Sequence, residues 1–174
     1  MPAVETWDAI RARRNVREYS DRPIATDDLD RVLRAGWLAP SSLNQQRWNF
    51  ILCADRQQLE ELSRLSRWAG HVGGAAAAIA LIAPVSDDPD VNESLEFDLG
   101  QAAMSMMLAA ADLGIGSSHA AVEDQDSARR LLGHPADRKC DLLIALGYPA
   151  SRPLAPVEQP KRRPFDDVVR RDHW

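Results

Sequence analysis

A chain of 174 residues, 45% of them hydrophobic and 27% charged, has the composition of an ordinary folded domain, which excludes global disorder. Its net charge of −5 and pI near 5.3 argue against a general nucleic-acid binder, which carries a basic surplus. All but Lys139 and Lys161 of the 21 basic residues are arginine, the better fork for phosphate and carboxylate, so where they cluster matters more than their sum.

In chain order, Thr6 is expected to cap a short helix from Trp7 to about Arg13, followed by an extended stretch from Asn15 to Tyr19. Thr26, Asp27 and Asp28 open a second helix with Leu29, Val32, Leu33 and Gly36 at helical spacing, closed by Pro40. Trp48 to Leu52 is a strand candidate, and Gln57 to Trp68 a helix with Leu59, Leu62 and Leu65 inward. Ile79 to Ile82 is short and apolar and reads as a buried strand. Val85 to Asn92, with three Asp and a Pro, reads as a solvated loop. Ser94 then opens the longest helix, which runs to about Leu113 and stops at Gly114. Its apolar residues cover much of its circumference, so it is expected at the centre of the core. Asp126 to Leu132 is a short helix and Asp141 to Leu146 the last core strand. Pro149, Pro153, Pro156, Pro160 and Pro164 forbid a helix and imply an extended C-terminal arm over about 149–174, with a short segment near Val168 and Val169. Few strands, not alternating as βαβ units, predict an α+β fold in a single domain over 1–174.

Cys53 and Cys140 lie in apolar runs outside any CxxC pair and read as buried free thiols. Met1 to Trp7 lacks the apolar stretch of a signal peptide, and the longest apolar run, Ala75 to Val85, is about half of what spans a bilayer. A cytoplasmic protein without a membrane partner is expected. His71, His119, His134 and His173 lack metal-ligand spacing, and no metal is assigned. No complete Gly-x-Gly-x-x-Gly follows a strand, and no Walker-type loop is present.

Three polar clusters make poor core. Arg13-Arg14-Asn15-Val16-Arg17 stands where the first helix runs out; it is either a solvated basic helix end or a set surrounding a ligand with a phosphate at one end. Pro40-Ser41-Ser42-Leu43-Asn44-Gln45-Gln46-Arg47-Trp48 offers hydroxyls and amides that both donate and accept, suited to the polar edge of a heteroaromatic ring, or is simply a polar loop. Lys161-Arg162-Arg163-Pro164, on the arm, is either a solvated tail or a cationic contact.

In order along the chain, these clusters resemble the FMN-dependent nitroreductase family. Arg13-Arg14-Asn15-Val16-Arg17 is similar to the opening Arg-Arg-Ser-x-Arg motif, and Ala39 to Phe50 to Ala-Pro-Ser-Ser-x-Asn-x-Gln-Pro-Trp-x-Phe. Leu113-Gly114-Ile115-Gly116-Ser117-Ser118 matches the Leu-Gly-Leu-Gly-Ser turn; Gly147-Tyr148-Pro149, Lys161 to Arg163 and Asp166-Asp167-Val168-Val169 match the close. The resemblance implies a nitroreductase-like α+β fold with a central, mostly antiparallel sheet flanked by helices and a C-terminal arm exchanged in a homodimer. By the same resemblance, Arg13, Arg14, Asn15 and Arg17 hold the FMN phosphate, ribityl chain and pyrimidine edge, with Lys161 and Arg163 returning to the phosphate. Pro40, Ser41, Ser42 and Asn44 reach that flavin from the other subunit, while Gly116, Ser117, Ser118 and His119 lie along the ring. Charge-assisted arginine bonds are the strong way to hold a dianionic phosphate.

The family chemistry implied is hydride uptake from NAD(P)H and ping-pong reduction of a small-molecule acceptor, a nitroaromatic, quinone or relative. Alternatives on the same fold are flavin fragmentation, dehalogenation or azoline dehydrogenation, or a flavin-binding protein without turnover. No side chain is expected to be an essential acid or base; His119 is the one candidate proton donor. The chain departs from the family at Asn15 for Ser, at Arg47 for Pro, which puts an extra charge near the implied site, and at His119 where many members carry Trp. The short segment between Trp68 and Ala83 implies a more open pocket.

Overall fold

The computed structural model describes residues 5–174; the reading of residues 1–4 lies outside them. Four strands, β1 (Asn49–Cys53), β2 (Ala77–Pro84), β3 (Gly116–Ala121) and β4 (Arg138–Gly147), form one sheet in the order β1-β2-β4-β3, every pair antiparallel. The expected antiparallel α+β architecture is therefore found. Central β2 is buried at each position from Ala77 to Ala83, because both sheet faces are covered; that is why it shows a continuous apolar run and no alternation.

On one face Ile79, Leu81, Ile144 and Leu146 pack with Leu99, Ala102 and Met106 of α4 (Pro89–Asp112) and Val32 of α2 (Thr26–Trp37). On the other, Ala80, Ile82 and Leu143 meet Leu59 and Leu62 of α3 (Arg56–Leu62) and Ala128 of α5 (Gln125–Leu132). Gly36 lets α2 approach α4 closely: a Cβ there would lie 1.9 Å from Met106 Cε and 2.9 Å from its Cγ. Cys53 and Cys140 are buried and free, and burial raises their thiol pKa values to about 11 and about 12.

Several element boundaries differ from expectation. The first helix, α1, spans Thr6–Ala12 with Glu5 at its N-cap, so Thr6 is inside the helix and caps nothing. The second likewise starts after Ala25 and ends at Trp37, three residues before Pro40. α3 stops at Leu62, where Ser63 N–H bonds back to the Glu61 and Leu59 carbonyls in a tightened last turn, instead of continuing to Trp68. α4 begins well before Ser94: the Asp88 carboxylate accepts from Asp90 N–H, and Pro89 takes the first turn, where its missing N–H costs nothing. Ser94 sits inside the helix, its hydroxyl donating to the Val91 carbonyl. Gly116 to His119, expected as a turn, belong to edge strand β3 (Gly116–Ala121); the turn is at Gly114, in the left-handed region at φ +72°. Beyond Tyr148 the chain is irregular, with bends near 150–152, 158–161 and 171–172, apart from α6 (Phe165–Val168), and residues 155–174 are all exposed.

Candidate active site

α1 ends with Arg13 already extended (φ −60°, ψ 124°), and the next residues lie along the outer edge of β3. Asn15 forms a parallel bridge with Ser117, and Val16 N–H donates to the Ser117 carbonyl at 2.9 Å. In extended chain neighbouring side chains face opposite ways. Val16 is buried at 3% exposure, which turns its neighbours Asn15 and Arg17 the other way. Val16 sits over Gly116, where an added Cβ would lie 2.7 Å from Val16 Cβ; the glycine is required by this close approach.

The start of the arm runs back over the same segment. Ala150 N–H donates to the Glu18 carbonyl at 3.1 Å, Tyr19 bridges Pro149, and Arg14 Nη2 donates to the Arg152 carbonyl at 2.6 Å. Arg13 donates to Asn15 Oδ1 at 3.1 Å. Among the described residues, none of Arg13, Arg14, Arg17, Lys161, Arg162 or Arg163 pairs with a carboxylate. Arg14 has its pKa lowered by burial and then by the charge of Arg152. Like charges held together without counter-charge form a ready anion site.

Beside this edge opens a cavity of about 820 Å³, lined by Arg17, Trp68, His71, His119, Ala121 and Leu142 among others. On β3, His119 and Ala121 are exposed toward it while Ala120 is buried below. His71 Nε2 is buried without a hydrogen-bond partner, and desolvation lowers the His71 pKa, opposed by backbone groups of Ser118 and Trp68 and reinforced by Arg17 and His119. An orphaned buried nitrogen beside unneutralised arginines fits a polar, anionic ring ligand. The sequence reading missed His71 and Trp68. The available signal was Trp68 just before, and His71 within, the Gly-rich stretch Gly70 to Gly74, a segment read only as short and leaving the pocket open.

The second predicted cluster is elsewhere. Ser42–Asn44 form a 3-10 turn, and Leu43, Asn44 and Gln46 take left-handed φ values of 52°, 54° and 48°. Asp98 of α4, only 1% exposed, accepts the Ser42 N–H at 2.9 and 3.1 Å and the Ser42 hydroxyl at 3.0 Å. Ser41 Oγ accepts from Gln46 N–H at 3.0 Å. This loop feeds β1, the sheet edge opposite β3. Three inter-strand spacings, about 14 Å, separate the edges. Within one subunit the fold therefore gathers Arg13, Arg14, Asn15, Arg17, Gly116, Ser117, Ser118 and His119, and leaves Pro40, Ser41, Ser42 and Asn44 apart. Lys161 and Arg163 stay on the exposed arm, where Arg163 donates to the Asp167 carbonyl. Arg47 is tied away from the cavity, donating to Ser94 Oγ at 3.3 Å while its carbonyl accepts from Arg138.

Among the described residues, no group of three or more His, Cys, Asp or Glu comes together as a metal site, and no helix is long and apolar enough to cross a membrane.

A family model described as the nitroreductase family matches residues 10–86 and 67–148. An Archaeoglobus fulgidus protein named "Putative NADH dehydrogenase/NAD(P)H nitroreductase" is 33% identical over 144 residues, 80% of this chain and 83% of its own. Among solved structures, an FMN-dependent nitroreductase from Clostridium difficile superposes with a TM-score of 0.80 at 26% identity, covering 95% of this chain and 98% of its own. The NADPH:FMN oxidoreductase from Vibrio harveyi, complexed with NAD+, shares the fold with a TM-score of 0.82 at 22% identity, over 95% of this chain and 76% of its own. With the family model spanning most of its length and a relative 33% identical over 80% of it, the chain belongs to the nitroreductase family.

Proposed function

We propose that the protein is an FMN-dependent NAD(P)H oxidoreductase that works as a homodimer. The carrying observation is the Arg13–Arg17 segment, without carboxylate partners, clamped to β3 at the mouth of the 820 Å³ cavity. Arg13, Arg14 and Asn15 hold the phosphate and ribityl chain, helped by Lys161 and Arg163 of the arm. Arg17 lies at the polar edge of the ring and Gly116, Ser117, Ser118 and His119 beside its face. When bound, the flavin supplies hydride transfer from NAD(P)H to a nitroaromatic, quinone or related acceptor in two half-reactions. The side chains orient the ring and stabilise charge at its pyrimidine edge, a cation's task that falls to Arg17.

The dimer reading rests on the sheet. Pro40, Ser41, Ser42 and Asn44 lie across its width from Arg17, so they serve a ring only if it belongs to a second copy. A groove of about 540 Å³ lined by Pro40, Phe97, Gly100, Met104 and Leu108 flanks that loop, with Phe97 66% exposed. Apolar surface of that kind on a folded domain marks a contact face.

The test is anaerobic titration of the FMN-reconstituted protein with NADPH and NADH, followed by acceptors. Bleaching of the flavin near 1:1 stoichiometry, then reoxidation by nitroaromatics or quinones, is expected. Bleaching without reoxidation by any acceptor points to specialised flavin chemistry, and no bleaching to a flavin-binding protein without turnover; either overturns the reading.

A further inference from the structure

We propose that Asp98 is a positioning residue: from inside α4 it sets the shape of the 41–46 loop that one subunit presents to the flavin of the other. The inference rests on the flavin-binding, dimeric reading above. A carboxylate at 1% exposure is costly to hold unless its oxygens are well satisfied. Its hydrogen bonds come from the Ser42 N–H, shared between both oxygens at 2.9 and 3.1 Å, and from the Ser42 hydroxyl at 3.0 Å. No ion pair to Asp98 exists among the described residues. Immediately after Ser42 the backbone enters the left-handed region at Leu43 and Asn44, and again at Gln46; asparagine tolerates it, but the Cβ of Leu43 and of Gln46 disfavours it.

None of this serves the subunit's own core. Leu43 is 91% exposed, and no residue of the Ser42–Asn44 turn is buried. Strained backbone persists where the surrounding structure over-determines it, and it clusters at binding and catalytic sites. α4 is a 24-residue helix packed on the sheet, so a side chain rooted in it is a stiff support for an otherwise exposed loop. Asp98 acts on the ligand only through Ser42, and its role is geometric.

The experiment compares FMN affinity of wild-type, Asp98→Ala and Asp98→Asn dimers, then of a differently tagged heterodimer pairing an Asp98→Ala protomer with an Arg13→Ala protomer. Asp98→Ala should raise the FMN dissociation constant by about tenfold or more, as for loss of hydrogen bonds to a charged group. Asp98→Asn, which keeps one acceptor oxygen, should recover part of that loss. In the heterodimer, one site combines an intact arginine segment with an intact loop from the other protomer, while the second carries both lesions. It should therefore bind one FMN per dimer at wild-type affinity, although neither parent homodimer does. If Asp98→Ala does not fold, Asp98→Asn takes its place in the heterodimer. Wild-type affinity in the Asp98 variants overturns the proposal, as does a heterodimer lacking any site of wild-type affinity. A wild-type dimer that takes up no FMN overturns the flavin reading itself, a result separate from both.

Discussion

Arg13 and His119 carry different burdens, and their variants separate binding from chemistry. Among the described residues Arg13 pairs with no carboxylate, so Arg13→Ala removes little from the fold. Losing one charge-assisted bond to a phosphate should cost about 1.5–3 kcal/mol of FMN affinity, read by fluorescence titration of the apoprotein. An unchanged dissociation constant would reduce Arg13 to a solvated helix end. His119 faces an open cavity where solvent can protonate an acceptor. His119→Ala should shift acceptor preference and KM while leaving flavin reduction by NAD(P)H largely intact. Stopped-flow that finds the oxidative half-reaction slowed more than about a hundredfold would make His119 a general acid instead. His71 gives a pH signature. Its pKa is lowered in the folded protein, so below the ordinary histidine value the unfolded chain binds the proton more readily. Stability is therefore present above about pH 6.5 and declines as pH falls from there toward the lowered folded value. Urea midpoints across pH 7.5 to 5 should show a shallower decline in His71→Gln; identical profiles would contradict this.

At the level of elements, the contact between Arg13–Arg17 and β3 is the joint on which the site depends. Gly116→Ala would place a methyl 2.7 Å from Val16 Cβ and Cγ2, atoms of a stiff branched side chain. Overpacking of this kind costs about 1–3 kcal/mol. Because the displaced segment bears Arg17, FMN affinity should fall together with the urea midpoint; a variant that loses stability and keeps wild-type affinity would detach the joint from the site. What the chain disclosed in advance follows the same physics. β2 and β4 were legible because burial on both faces leaves apolar runs, and α4 because its periodicity is long. The start of α4 was not, since Asp88 and Pro89 suit a loop as well as a helix entry. β3 hid because Gly, Ser, Ser and Ala have little strand preference and are held by pairing to β4. The cavity hid because residues 17, 68, 71 and 119 converge only in three dimensions. Asp98 had a signal that went unread: an acid between Leu95, Leu99 and Ala102 on the buried side of a helix.

For the whole molecule, one sheet separates the two motif clusters that the proposed flavin needs, and a second copy is the economical way to reunite them. The exposed arm fits this arrangement: Phe165 and Val168 are 67% and 60% exposed on a short helix that buries none of its residues. The most direct test of the central claim is sedimentation of the purified, FMN-reconstituted protein with absorbance read at protein and flavin wavelengths in the same boundary. The account predicts one species of twice the 19.3 kDa chain mass carrying one FMN per chain. A monomer with full flavin occupancy, or a dimer that takes up no flavin, would contradict it.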